Sequence, residues 1–465
     1  MLFPLLIGLP VAQLPSPPPM PSPTPTPIEI RVPQMVRPLP GQLDKVMVFN
    51  SNSPEVVQKE GILLSTFPPT GKKTPAAHLN LALSGRFDVF AHHVAKPVTP
   101  EDLRTLYLGV IVQNPGQQPV TIDILQAASY LSQPDAPFLD IPPFLENADG
   151  SIYAGPGSRV ANEVLRGLRQ DTMPPQLVIP PGASRMLLTM PIPGRPLTPP
   201  LNGRSTLMRL RSTGPVYVAS LGMYAETNEQ GEDQVPTLET WQTLLETGEL
   251  SGPRDRVPTP PDQPKGAVIY GRVAGVVQGS QWRTTLTDGP KVTYLSVPEL
   301  GETFSYGLST LVAGRLGTGQ IQTAPLLVRY PDTAYASHGN YGIEYNLTMP
   351  LQNRTQQTQT VTIRFQSPIK EDQIQGALRF FEPLPRSVFF RGTVRLRYND
   401  DRNLPQTRYV HLVHRRGDRS QPLATLVMPP GDRRLVEFDL IYPADATPPQ
   451  VLTITSEAPP EGNLD

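Results

Sequence analysis

LYLGVIVQNPGQQPVTIDILQ at residues 106–126 and YNLTMPLQNRTQQTQTVTIRFQ at residues 345–366 share one pattern. Each begins with alternating apolar residues, reaches a Gln-Asn pair and a polar turn, and continues into a second alternating run. Alternation with a period of two places the apolar side chains on one face of a strand. Each stretch is therefore predicted to be a β-hairpin with one buried face.

Two further pairs of segments follow in the same order. VIPPGASRMLLTMPIP (178–193) matches VMPPGDRRLVEFDLIYP (427–443), and PVYVASLGMY (215–224) matches QVLTITS (450–456). Pro-Pro-Gly predicts a turn in both members of the first pair, and alternating residues follow it. The repeated order predicts a mostly β fold, built as two immunoglobulin-like antiparallel β-sandwich halves with a few short helices. Chance recurrence of common β-sandwich patterns is the alternative explanation.

Proline and helix signals divide the chain. Prolines make up 59 of the 465 residues, against about 5% in an average protein, so long helices are not expected. Leu238, Trp241 and Leu245 have helical spacing before Gly248, and a second short helix is predicted to begin at Ser158 as its N-cap. The predicted division is a signal-like leader (1–14), a proline-rich spacer (15–29), a first β-sandwich half with helical insertions (30–250), a linker (251–265) and a second β-sandwich half (266–465).

The start of the chain predicts export. LFPLLIGLPVAQL (2–14) is a short apolar run, below the ~20 residues of a membrane-spanning helix and typical of a signal peptide. PSPPPMPSPTPTP (15–27) follows and favours a polyproline II spacer. We therefore expect an exported protein, either periplasmic or extracellular at the cell surface. A buried first strand is the alternative for residues 2–14, and no other segment predicts a transmembrane span.

Composition as a whole argues against several classes of protein. Lys and Arg number 40, and Asp and Glu number 41, so no net positive field favours nucleic acid or anionic lipid. Cysteine is absent, which excludes disulfides, thiolate nucleophiles and cysteine-ligated metal sites. Neither a cofactor nor a nucleic-acid partner is predicted.

Histidines are the first candidates for acid–base or metal chemistry, because imidazole titrates near neutral pH. His92 and His93 lie in GRFDVFAHHVAKP (85–97), where on a strand Asp88 and His92 share one face and His93 takes the other. A metal site would need a third ligand from another segment, and no HxH or HExxH spacing supplies one. Hydrogen-bonded imidazoles at the rim of a sandwich are the simpler interpretation. No G-x-S-x-G elbow is present, and no catalytic residue is assigned.

A basic strand offers better material for recognition. In GTVRLRYNDDRN (392–403), Arg395 and Arg397 alternate with apolar residues, and the strand around residues 408–414 is expected to pair with this one. Such a face suits an acidic glycan or a protein of the cell envelope, whereas an ordinary solvated sheet face is the alternative. The predicted interaction surface consists of Asp88, His92, Arg395, Arg397 and Tyr398.

Four phrases of the sequence carry a resemblance to a known family. They are FNSNSPEVVQKEGILLSTFPP (49–69), GRFDVFAHHVAKP (85–97), AGPGSRVANEVL (154–165) and SHGNYGIEYNLTMPLQN (337–353). Together they resemble a family of exported cyanobacterial proteins classed as a domain of unknown function. The resemblance implies an envelope or extracellular setting, and it assigns no activity, ligand or catalytic residue.

Three hypotheses on function follow. The leading one is a non-enzymatic envelope or cell-surface protein that acts as a structural or interaction module. The second is a glycan-binding module of the periplasm or extracellular matrix, which would need exposed Tyr and Arg side chains on one sheet face. The third is a metal-dependent hydrolase that uses the region of His92 and His93, and bound metal lost on substitution of His92 would distinguish it.

Overall fold

A computed structural model of the protein describes residues 25–99, 101–195, 197–263 and 267–457. The predicted leader and the first part of the spacer lie outside these residues. Strands account for 47% of the described residues and helices for 5%. The prediction of a mostly β protein with a few short helices is therefore confirmed. No helix among the described residues is long and apolar enough to cross a membrane.

The first part of the described chain carries strands β1 to β12. They are β1 (Ile28–Pro33), β2 (Met35–Arg37), β3 (Met47–Ser51), β4 (Val56–Val57), β5 (Gly61–Ser65), β6 (Leu83–Ala95), β7 (Leu106–Gln113), β8 (Val120–Leu131), β9 (Phe144–Glu146), β10 (Gln176–Ile179), β11 (Ser184–Ile192) and β12 (Asn202–Tyr224). A short 3-10 helix covers Pro75–Ala77. The two α-helices are α1 (Pro156–Leu165) and α2 (Leu238–Thr247).

The second part carries strands β13 to β26. They are β13 (Ala274–Gln278), β14 (Gln281–Thr285), β15 (Leu295–Ser296), β16 (Thr303–Leu308), β17 (Ala324–Arg329), β18 (Ala336–Ser337), β19 (Glu344–Gln352), β20 (Gln359–Gln366), β21 (Ala377–Glu382), β22 (Val388–Asn399), β23 (Pro405–Arg415), β24 (Pro422–Met428), β25 (Arg433–Ile441) and β26 (Gln450–Glu457).

The two stretches predicted as hairpins form strands, but the pairing prediction is wrong. β7 pairs with β11 and β12, whereas β8 pairs with β10 and with another part of β12. The second stretch repeats this arrangement in part, because β19 pairs with β25, β14 and β15, whereas β20 pairs with β24 and β26. Each polar turn therefore carries the chain from one layer to the other. Alternation defines the buried face of a strand without defining its hydrogen-bonded neighbour.

Strands also pair across the predicted linker. β3 pairs with β13 and so joins the first part of the chain to a sheet that continues through β17. Three more strands of the first part pair with strands of the second part. These pairs are β1 with β21, β2 with β16, and β9 with β23. The predicted pairing of the strand around 408–414 with the basic strand is confirmed by the β22–β23 ladder.

Helix α1 packs between sheets from the two parts of the chain. Val160 and Val164 of α1 share one hydrophobic core with Leu207 of β12 and Phe438 of β25. Ser158 was predicted as the N-cap, but the N-cap is Gly155, three residues earlier. The backbone N–H of Ser158 donates to Asp445 at 2.8 Å, so a carboxylate from a distant loop binds the helix N-terminus. This contact fixes the loop after β25 against α1.

Candidate functional site

A cavity of about 420 Å³ lies where the two parts of the chain meet. Its wall is shared by the β3 and β6 region, the segment before β13, and loops of the second part. The residues that line it are Asn50, Asn52, Glu55, His92, Asp255, Arg256, Ile269, Tyr270, Gly271, Arg272, Val273, Leu311, Ser337, His338, Gly339, Tyr341, Lys370, Ala444, Thr447 and Pro448. We call this space the junction cavity. Small-molecule sites commonly have volumes of ~300–1,000 Å³.

Two asparagines form the most unusual part of the wall. Asn50 lies on β3 and Asn52 just after it, and their exposed fractions are 3% and 6%. The alternation of an extended chain turns both side chains to the same side. Neither side-chain carbonyl oxygen has a hydrogen-bond partner among the described residues. Buried amides are normally hydrogen-bonded, so an unpaired carbonyl oxygen at both asparagines is uncommon.

One side of the junction cavity is an ion-paired cluster. Arg272 contacts Glu55 and also Asp255, the latter at 3.3 Å between Nη1 and Oδ1. Glu55 lies 3.6 Å from Nε2 of His92. Nδ1 of His92 lies 2.7 Å from the Ser205 hydroxyl. Burial lowers the pKa of His92, so its imidazole is neutral near pH 7.

Another part of the lining is aromatic and basic. The rings of Tyr270 and His338 lie 4.9 Å apart, and Nζ of Lys370 stands 4.1 Å from the centroid of the Tyr270 ring. Lys370 also donates to the Tyr270 hydroxyl, which in turn donates to the carbonyl of Val312 at 2.6 Å. Burial lowers the pKa of Lys370 to about 8 and that of His338 to about 4. Nδ1 of His338 has no hydrogen-bond partner among the described residues.

Of the predicted surface residues, His92 lines the junction cavity. His93 points to the opposite face of β6, where Nδ1–H donates to the Pro54 carbonyl at 2.8 Å and Nε2 accepts from the Ser51 hydroxyl at 2.9 Å. Asp88 is 1% exposed and forms an ion pair with Arg86. Burial raises the pKa of Asp88. The three residues of the β6 phrase therefore occupy three different environments.

Arg395 and Arg397 both bind one buried carboxylate. Asp439 accepts from Arg395 at 2.9 Å and from Arg397 at 3.2 Å. Asn346 connects Asp439 to Glu344, which forms an ion pair with Arg209 of β12 at 2.6 Å. The side chain of Tyr398 packs against the large core. These charges link the two parts of the chain, and they lie apart from the lining of the junction cavity.

The sequence prediction missed most of the cavity residues. Asn50, Asn52, Tyr270 and Lys370 come from three distant segments that no local pattern connects. A usable signal was present in FNSNSP (49–54), where polar residues follow a buried strand at alternate positions. Among the residues that the structure describes, no three His, Asp or Glu side chains form a group that could hold a metal ion.

Comparison with known proteins identifies a family without an assigned activity. The family described as "Protein of unknown function (DUF3370)" matches residues 34–456. No curated protein matches the chain. The resemblance to a domain of unknown function is confirmed, whereas no ligand or site residue comes with it.

Proposed function

Because the chain belongs to the DUF3370 family, whose function is unknown, we propose a function from the junction cavity: the protein is a non-enzymatic binding module of the cell envelope that holds a saccharide there. This choice selects the glycan-binding hypothesis over a purely structural module. The observation that carries it is the buried amide pair of Asn50 and Asn52, which has no protein partner for its carbonyl oxygens among the described residues.

Hydroxyl groups are the natural partners of these amides. An asparagine presents a carbonyl acceptor and an NH₂ donor side by side, and a hydroxyl donates one hydrogen bond while it accepts others. A ligand with several neighbouring hydroxyls can therefore satisfy two adjacent amides together. The volume of about 420 Å³ accommodates a small saccharide. The aromatic ring of Tyr341, also in the wall, offers an apolar surface for the C–H groups of a sugar ring.

The carboxylates of the cavity favour binding over hydrolysis. Glycoside hydrolysis needs one carboxyl group as proton donor and a second as nucleophile or base. Glu55 and Asp255 both pair with Arg272, so each carboxylate already has a cationic partner. Two carboxylates held in this way suit the acceptance of hydrogen bonds from sugar hydroxyls. The metal-dependent alternative would require His92 to recruit ligands beyond the described residues.

Titration calorimetry of the full-length protein against a panel of oligosaccharides tests the proposal. We expect saturable binding that Asn50→Ala and Asn52→Ala each weaken at least ten-fold. Gln230→Ala is the matched control, because it removes an exposed amide remote from the cavity lining, and it should bind like the natural protein. Absence of binding to every saccharide would overturn the proposal. Release of reducing ends during incubation would instead identify a hydrolase.

Export and attachment to the envelope belong to the same proposal. Their support is the apolar run at residues 2–14 followed by the proline-rich segment, in the order expected of a signal sequence and a spacer. Fractionation of cells combined with N-terminal sequencing of the mature protein tests this part. We expect a periplasmic or surface-attached protein that lacks residues 1–14, and a cytosolic protein that retains them would contradict it.

We also propose that the two parts of the chain derive from a duplicated immunoglobulin-like sandwich. Support comes from the equivalent ladders β11–β7 and β25–β19, and β10–β8 and β24–β20. An experimental structure in which residues 106–224 and 345–456 superimpose strand for strand is the expected result. A different order of layers in the two segments would argue against duplication.

A further inference from the structure

The charges of the junction cavity are distributed unevenly. Arg272 is neutralised by two carboxylates, Glu55 and Asp255. Lys370, another residue of the lining, contacts the ring and hydroxyl of Tyr270 and forms no ion pair with a carboxylate of the described residues. A buried or half-buried ammonium is normally paired, because removing it from water is unfavourable. The Lys370 end of the cavity is therefore the end suited to a negative group.

A second group at the same end has unused hydrogen-bonding capacity. The centroids of the His338 and Tyr270 rings lie 4.9 Å apart. The buried Nδ1 of His338 has no hydrogen-bond partner among the described residues. In the neutral imidazole one ring nitrogen carries a proton, so the ring can donate one hydrogen bond to an anionic oxygen. Lys370 and His338 thus place two potential donors beside the ring of Tyr270.

Resting on the proposed function, we infer that the saccharide is acidic and that its carboxylate binds between Lys370 and His338 while its hydroxyls bind Asn50 and Asn52. One ligand then supplies partners for the polar groups at both ends of the cavity. The ion-paired Arg272 cluster then faces the neutral part of the sugar. Arg256, an exposed residue of the same lining, adds a positive charge that attracts an anionic ligand toward the cavity.

The test compares two ligands that differ in one group. The full-length protein is titrated with an oligosaccharide that ends in glucuronic acid and with the matched oligosaccharide that ends in glucose. We expect the acidic ligand to bind at least ten-fold more tightly at pH 7. Lys370→Met should remove this preference without weakening the binding of the neutral ligand. Lys370→Arg should retain most of it, because the positive charge is kept.

Lys45→Met is the control for the loss of a positive charge, because Lys45 is exposed and lies outside the cavity lining. It should leave both affinities unchanged. Equal affinity for the two ligands, or a preference that survives Lys370→Met, would overturn the inference and leave saccharide binding in place. If neither ligand and no neutral saccharide binds, the proposed function itself is overturned. The two failures are therefore distinguishable.

Discussion

Asn114 and Asn353 make the same side-chain hydrogen bonds in the two parts of the chain. The Asn114 amide donates to the carbonyls of Gln118 and Ile179, and its oxygen accepts from the N–H of Gly116. Asn353 donates to Gln357 and Met428 and accepts from Thr355. Each asparagine closes its own turn and ties that turn to the neighbouring layer. The Gln-Asn pair that recurs in the sequence thus forms the same hydrogen-bonded turn in both parts of the chain.

Replacement of either asparagine by alanine should destabilise the protein to a similar extent. Asn114→Ala and Asn353→Ala each leave the carbonyl of a buried residue, Ile179 or Met428, without its donor, and we expect a loss of about 1–3 kcal/mol in the free energy of unfolding. Urea denaturation measures this loss. Asn399→Ala, which removes an exposed amide, should have little effect. A large loss at one asparagine and none at the other would contradict the equivalence.

Gly109 is required by the indole of Trp241. A Cβ at residue 109 would lie 2.8 Å from two atoms of that ring, and Trp241 is fully buried. Gly109→Ala should therefore displace α2 and reduce the free energy of unfolding by about 1–3 kcal/mol. Gly289→Ala is the matched control, because a Cβ there would meet nothing within 4 Å. Equal stability of the two variants would show that α2 does not pack on β7 in this way.

The ion pair between Arg209 and Glu344 joins the two parts of the chain in a region of low exposure. Their side chains are 13% and 9% exposed. Arg209→Met leaves Glu344 without its cation, and we expect the protein to lose about 3–5 kcal/mol of stability. The double variant Arg209→Met, Glu344→Gln should recover part of the loss, because the uncompensated charge is gone. Thermal denaturation of the single and double variants provides the comparison. An additive loss in the double variant would be inconsistent with a direct pair.

His93 should make the stability of the protein dependent on pH. Burial lowers its pKa from 6.5 to about 4 in the folded protein. The unfolded chain therefore binds the proton more readily, and the stabilisation present above about pH 6.5 is lost as the pH falls through 4. In His93→Gln the free energy of unfolding should decline less steeply over this pH range, with a slope that differs by up to one bound proton. Urea denaturation at a series of pH values measures this slope. Parallel declines for the two proteins would refute the assignment.

Local patterns in the sequence predicted the strands and both helices well. The alternating residues around Val110 and Leu347 form strands, and Leu238, Trp241 and Leu245 form one side of α2. Strand partners were not predictable in the same way, since a side chain that points inward can meet a core from either layer. The N-terminus of α1 shows the same limit, because Asp445, which binds it, is far away in sequence.

The junction cavity could not be predicted from the sequence, for a related reason. His92 was singled out because histidine titrates near neutral pH, and it does line the cavity. Arg395 and Arg397 were chosen for their alternation, but Asp439 binds both of them. Lys370 carries no local signal of function, and the polar pattern around Asn50 does not show which segments it meets. They become a site because β3 pairs with β13 and brings distant segments together.

The most direct test of saccharide binding compares affinity with stability in the double variant Asn50→Ala, Asn52→Ala. In the free protein these amides lack partners for their buried oxygens among the described residues, so their removal should leave the free energy of unfolding unchanged or raise it by about 1–3 kcal/mol. Calorimetric affinity for the acidic oligosaccharide should fall at least a hundred-fold in the same variant. A variant that unfolds more easily and still binds the ligand as the natural protein does would contradict the account.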